Sequence, residues 1–290
     1  MKHTTPTKHA AGHATTSQDT LKALLMDPNP CISSLAMEQM LQNRDQCKKF
    51  IAATQDSDEL VLRKSAHQLA ACLRLQLLQD QFAFRFEQGK LDPWDALMII
   101  DQLYDQRSSA SYLQELLLEF CDGFQFFGDL TLQKIAKYMN ERKFAVPPHP
   151  ILNIFYYLVG DVLENCQGIA LVLCLLARQL AQLASKHSYP LKVCLSCGKF
   201  CLVDRQRTLL DPTDGWTVTN DVPPDAIHLC TSQEIIRVYL AQLIASSVMV
   251  WEVYDVHLFI QLLLRIEGFS RDQLPYPYGN FQAPAPDPEP

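Results

Sequence analysis

No stretch of this sequence is apolar for long enough to cross a bilayer. The best candidate, Ile169 to Leu176, falls far short of the roughly 20 residues a spanning helix needs. The opening MKHTTPTKHAAGH has no apolar region, so it does not read as a secretory signal. An excess of basic charge is missing too. Lys and Arg number 25 against 32 Asp and Glu, a net charge of -7. Such a surface repels a phosphate backbone, which argues against nucleic acid as a partner. The expectation from these absences is a cytoplasmic chain without a membrane partner, its ten cysteines kept as reduced thiols. Most of those cysteines are expected to be small buried hydrophobes. With 290 residues, 48% of them hydrophobic, the chain has material for a sizeable core in one or two domains.

Periodicity divides the chain. Residues 1–18 are rich in Thr, His, Ala and Gly without a repeat and read as a disordered tail. His3, His9 and His13 are then solvated tail residues. From 19 to 85 the apolar spacing is helical, with Asp56 and Ser57 as capping candidates. Short helices broken at Asp27-Pro28-Asn29-Pro30 suggest a HEAT-like pair. Residues 86–146 continue as helices, opened by Asp92-Pro93. Pro147, Pro148 and Pro150 disfavour helix and mark an expected divide. The stretch 151–184 is helical again, interrupted at Gly168. After Pro190 the period changes to alternation. Residues 191–203 read as one strand, with Val193, Leu195, Cys197, Lys199 and Cys201 on one face and Cys194, Ser196, Gly198 and Phe200 on the other. Arg207 to Asp211 and Asp214 to Thr219 follow as further strands. Residues 232–268 return to helix, and 271–290 form a Pro-rich extended or disordered tail. Runs of unlike elements in this order predict an α+β fold, with a small antiparallel sheet in a core spanning 147–270.

Four short motifs stand out in that core: Val162 to Leu173 around Gly168, Ala177-Arg178-Gln179-Leu180, Gly198-Lys199-Phe200, and Leu210-Asp211-Pro212. Taken together they resemble the transglutaminase-like superfamily, specifically its SirB-type bacterial branch. The likeness runs from about Asp92 to Glu267, and a HEAT-like segment in front is familiar from longer members. It implies a papain-like core. Papain-type chemistry sets a cysteine at the start of a buried helix, where the dipole favours thiolate, a histidine on a neighbouring strand, and an Asp or Asn that orients the imidazole.

Carried across residue by residue, the resemblance removes that chemistry. Its cysteine position, two residues after Gly168, holds Ala170. Its histidine position holds Lys199. Only Asp211 matches. The SirB-type branch commonly lacks the cysteine but keeps the histidine, and this sequence departs further. Lys199 is expected to pair with Asp211, although a cationic site for an acidic ligand group is a second reading. Cys166 is an alternative nucleophile, but it lies four residues before Ala170, about 6 Å along a helix axis. Near-attack geometry tolerates about 1 Å, and His187 and His228 lie off the expected strand.

A zinc alternative also exists. Cys194 and Cys197 give a C-x-x-C pair followed by Cys201, with His228 and Cys230 further on. The second pair has a poor spacing for a tetrahedral site, and a strand cannot wrap a metal from both faces. The expectation is therefore a chain without cofactor or metal that binds a protein or peptide. A thiol-dependent hydrolase or transferase using Cys166, or another relocated cysteine, is the alternative.

Overall fold

The computed structural model describes residues 20–105, 107–124, 129–148, 153–186 and 189–268. The tails expected to be disordered, 1–18 and 271–290, lie outside them, as does His187. The fold is mixed α and β, mostly helical, with one small antiparallel sheet. Among the described residues no helix is long and apolar enough to cross a membrane.

The chain divides into two compact units between Asp80 and Gln81. In the first, a helical segment at 20–25 precedes α1 (Pro30–Gln42) and α2 (Arg44–Thr54). Asn29 caps α1 by accepting from the Cys31 amide, and Asn43 caps α2 by accepting from Gln46, which satisfies amides a helix start leaves open. Leu25, Ala36, Met40, Cys47, Leu69 and Leu73 form the core of this unit. The last two belong to α3 (Leu60–Glu87), within which the division falls.

The second unit holds residues 86–146 and the chain from 153 on together, with Pro147 and Pro148 inside it. Helices α4 (Pro93–Tyr104), α5 (Ala110–Asp122) and α6 (Leu132–Glu141) start on Asp92, Ser109 and Thr131, each accepting a backbone amide. A single 3-10 turn (Ile154–Tyr156) leads into α7 (Val159–Asn165) and then α8 (Ala170–Ala184). Helix α8 is buried from Leu171 to Arg178 and again at Leu180 and Ala181. It packs on α4, α5, α6 and on the first two strands.

The sheet contains β1 (Lys192–Ser196), β2 (Lys199–Val203), β3 (Leu209–Asp211), β4 (Thr217–Thr219) and β5 (His228–Leu229), in the order β4-β3-β2-β1-β5. The expected single strand over 191–203 is instead a hairpin. Ser196 pairs with Lys199 across a two-residue turn, Cys197-Gly198, with φ of 50° and 76°. Positive φ at both turn positions matches the right-handed twist of a two-residue hairpin, and Gly198 takes it without strain. The turn inverts the expected face assignment. Cys194 lies directly opposite Cys201, so the two share a face, where they form a small cluster with Val203, Leu209, Val222 and Ile227.

Two more expectations shift. Gly168 does not begin a helix; α8 starts at Ala170. A Cβ on Gly168 would sit 2.9 Å from Val162 Cγ2 and 3.3 Å from the Tyr156 carbonyl oxygen, so the glycine serves a close packing of chain segments. The helical stretch over 232–268 is two helices, α9 (Ser232–Val250), opened by a capping box of Thr231 and Glu234, and α10 (Val253–Glu267).

One ion pair fastens α8 to α4. Arg178, almost fully buried, donates to Asp92 Oδ1 at 2.5 Å, and the same oxygen accepts from the Trp94 amide at 2.8 Å. Asp92→Ala therefore removes a helix cap and the partner of a buried guanidinium. It is expected to cost about 2–3 kcal/mol, solvent at the half-exposed carboxylate softening the loss. Asp95→Ala, which breaks the more exposed pair with Arg85, should cost less than about 1 kcal/mol. Urea unfolding followed by tryptophan fluorescence reads this unit, since Trp94, Trp216 and Trp251 all belong to it. Equal losses for the two variants would refute the role given to Arg178.

Candidate functional site

The three positions singled out in the sequence fall at three defined points. Ala170 is the first residue of α8, partly buried, behind Ile169 in extended conformation. Lys199 opens β2. Asp211 ends β3. The ammonium of Lys199 lies 3.4 Å from Asp211 Oδ2, so the expected pairing is present. Lys199 is 52% exposed and Asp211 16%, and a pair wetted on one side is worth about 0–1 kcal/mol. The other carboxylate oxygen is fully engaged. Asp211 Oδ1 accepts from the Thr213 amide at 2.7 Å and from its hydroxyl at 2.6 Å, capping the short turn Pro212–Asp214.

A backbone strap links the start of α8 to the chain after Asp211. The Ala145 amide donates to the Cys166 carbonyl at 3.0 Å, and the Gly168 amide donates to the Ala145 carbonyl at 3.2 Å. Next to Ala145, the Phe144 carbonyl accepts from the buried indole N–H of Trp216 at 2.6 Å. Asn140 of α6 adds a bond to the Gly215 carbonyl at 3.0 Å. Trp216 itself sits at φ 61°. No pattern in the sequence announces this strap. Trp216 read only as part of a strand, and the partners are main-chain carbonyls that no side-chain pattern reports.

The thiols are badly placed for nucleophilic work. Cys166 does not open a helix. It ends α7 in left-handed conformation, φ 57° and ψ 21°, where a helix dipole disfavours an anion. Cys174, one turn into α8, is fully buried, with its Sγ 3.5 Å from the Phe200 carbonyl. Burial, then Cys201 and Cys194, pushes its thiol well above the ordinary range. Burial pushes Cys194 and Cys201 up to about 12. Such groups are thiols, and thiols do not attack.

The four side chains of the zinc alternative are not brought together either. The hairpin carries Cys197 to its exposed tip, whereas Cys194 is buried under Val222 and Ile227. On β5, His228 Nε2 faces Glu234 Oε1 at 3.5 Å, and the Cys230 thiol contacts the His228 carbonyl. Among the described residues no group of three or more His, Cys, Asp or Glu is placed to share a metal ion.

Chemically, the Lys199–Asp211 pair offers an ammonium and a carboxylate, with Ala170 at the start of the helix that packs on β2. An ammonium paired to a carboxylate has no lone pair with which to take a proton. Comparison with protein-family models, curated proteins and solved structures finds no match to this chain.

The backbone at Cys166 makes its own prediction. A non-glycine residue in left-handed conformation carries a penalty that glycine avoids. Cys166→Gly should raise stability by about 0.5–1 kcal/mol, and Cys166→Val, β-branched at positive φ, should lower it. Thermal unfolding of the two variants checks the order. A marked loss with glycine would mean that the thiol itself is needed there.

Proposed function

We propose that this chain is a non-catalytic member of the transglutaminase-like superfamily, of the SirB-type branch with a HEAT-like segment in front, and that it works as a protein- or peptide-binding regulatory module. The observation that carries the reading is the Lys199–Asp211 pair. These two residues, twelve apart in sequence and singled out by motif alone, meet at 3.4 Å. They do so on neighbouring strands beside a helix that begins at Ala170. That is the layout in which a papain-type core holds its imidazole, its orienting carboxylate and its thiol. Two of the three groups are replaced, and the replacements have no acid–base or nucleophilic use here. The alternative of a thiol-dependent hydrolase or transferase is weakened by the placement of Cys166 at a helix end and by the burial of Cys174, Cys194 and Cys201.

Restoration tests the reading. Ala170→Cys combined with Lys199→His should create a thiol of lowered pKa, because Asp211 is already placed to hold the imidazole. Lowering a thiol pKa by about one unit from 8.5 multiplies the thiolate at pH 7 by about eight, while its intrinsic reactivity falls somewhat. Alkylation of the folded double variant by iodoacetamide is therefore expected to run about three- to tenfold faster than that of Ala170→Cys alone. Adding Asp211→Ala should abolish the gain. Turnover need not follow, since donors for an oxyanion and a substrate pocket are separate requirements. A double variant that alkylates no faster than the single one sinks the assignment of these three positions.

A further inference from the structure

The largest run of exposed apolar side chains in the described residues lies at the corner between α9 and α10. Val248, Met249, Val250, Trp251, Val253 and Tyr254 are all exposed, Met249 at 69% and Trp251 at 66%. Single exposed apolar residues are ordinary, but a contiguous patch marks an interaction surface. The backbone there is also costly. Trp251 closes α9 at φ 59°, its amide bonded to the Val248 carbonyl at 3.2 Å while Glu252 reaches back to Ser247 at 3.0 Å. Helix ends of this kind favour glycine, so a large exposed indole at that position is not explained by stability of the fold.

The corner borders a groove. Two adjoining cavities, of about 570 and about 550 Å³, share Tyr104, Phe155 and Asp255 as lining. Val250 and Tyr254 bring the corner into their walls, and Tyr112 adds a further ring. Phe155 is half exposed. Between the rings stand Asp101, Asp105, Asp161, Glu164, Glu252 and Asp255, and Arg107 is the one basic residue among the described lining. The charge there is strongly felt. Burial, then Asp101, Glu164 and Asp105, raises Asp161 to about 6, and burial followed by Asp255 pushes Tyr104 up to about 12.

We infer that this groove and corner dock a basic segment of a partner protein, with apolar side chains on the Phe155–Trp251–Tyr254 lip and a Lys or Arg side chain directed among the carboxylates. Charge complementarity selects that occupant. A cation inserted between tyrosine faces gains from both the rings and the carboxylates. An anionic membrane is repelled by the same carboxylates that flank the corner. A second copy of this chain, net charge -7, would bring two acidic grooves together in a two-fold contact. The inference gives the peptide-binding reading a partner chemistry, yet it uses none of Ala170, Lys199 and Asp211. The restoration experiment can fail while this one succeeds, and the reverse.

The test is selection of a random 12-residue displayed peptide library on the immobilised full chain, followed by fluorescence anisotropy of the recovered peptides made synthetically. The expected result is enrichment of peptides carrying both Lys or Arg and aromatic or aliphatic residues. Trp251→Ala should weaken the best of them at least tenfold, as should Asp161→Asn with Asp255→Asn, while Lys137→Met, on the exposed side of α6, leaves binding unchanged. Circular dichroism melting confirms that each variant is folded. Recovery of no peptide, enrichment of acidic or uncharged peptides, or basic peptides indifferent to both groove variants would overturn the inference. So would binding of vesicles containing one-third phosphatidylserine that Trp251→Ala abolishes, or a dimer in sedimentation that the same variant dissolves.

Discussion

The body of helix α8, from Leu171 to Arg178, has no face to give to water. Its residues from Leu171 to Arg178, with Leu180 and Ala181, are buried all round, and a helix of that kind exists only where other elements enclose it. Each of its leucines contributes about 2 kcal/mol once covered, so the surrounding elements are arranged to cover them. Helices α4, α5 and α6 and the strands β1 and β2 all pack on it. The cost of the arrangement falls on Arg178, a guanidinium inside this packing whose Nε has no hydrogen-bond partner among the described residues. Asp92 holds the charge by lending an oxygen that already caps α4. The start of α4 and the middle of α8 are thereby fixed to one another. The start of α8 is fixed separately, by the strap through Ala145.

The sequence made the elements legible where a cap or a change of period announced them. Asp92-Pro93 opened α4, the alternation after Pro190 marked the sheet, and Leu210-Asp211 lay in a strand as expected. The hairpin was missed for a definite reason. A two-residue turn removes two positions from the alternation, so the stretch 191–203 looks like one continuous strand while its second half changes face. Only the Cys197-Gly198 dipeptide distinguishes the two cases, and cysteine is a weak turn former. The break at Trp251 was hidden in the same way, since the apolar spacing runs on through a corner that no Gly or Pro announces. The acidic groove was out of reach altogether. Its lining comes from three separated stretches of chain, and each stretch alone reads as the solvated side of a helix.

Cysteine is abundant here, and the structure explains why abundance is not reactivity. Cys194 and Cys201 face each other across a hairpin in the middle of an apolar cluster. Cys174 lies against β2, within electrostatic reach of both. Three neighbouring thiols, each raised by burial and each disfavouring charge on the next, are stable only in neutral form. They fill space as small hydrophobes, which is the use the sequence reading assigned to most of the ten.

A carboxylate at Asp211 has a use within its own neighbourhood. The geometry supplies a local reason. Asp211 Oδ1 takes two hydrogen bonds from Thr213 and so closes the turn that follows β3. That turn leads to Gly215, whose carbonyl is bound by Asn140, and then to Trp216, whose indole anchors the strap in front of α8. Removing the carboxylate would loosen the path by which the sheet and α8 hold each other in register. The aspartate therefore has structural work independent of any imidazole, and its presence is no argument for an active enzyme. Lys199 completes the same picture. With one carboxylate oxygen spent on Thr213, the other needs a positive neighbour or water, and a lysine at the start of β2 supplies the first while keeping its own charge half in solvent.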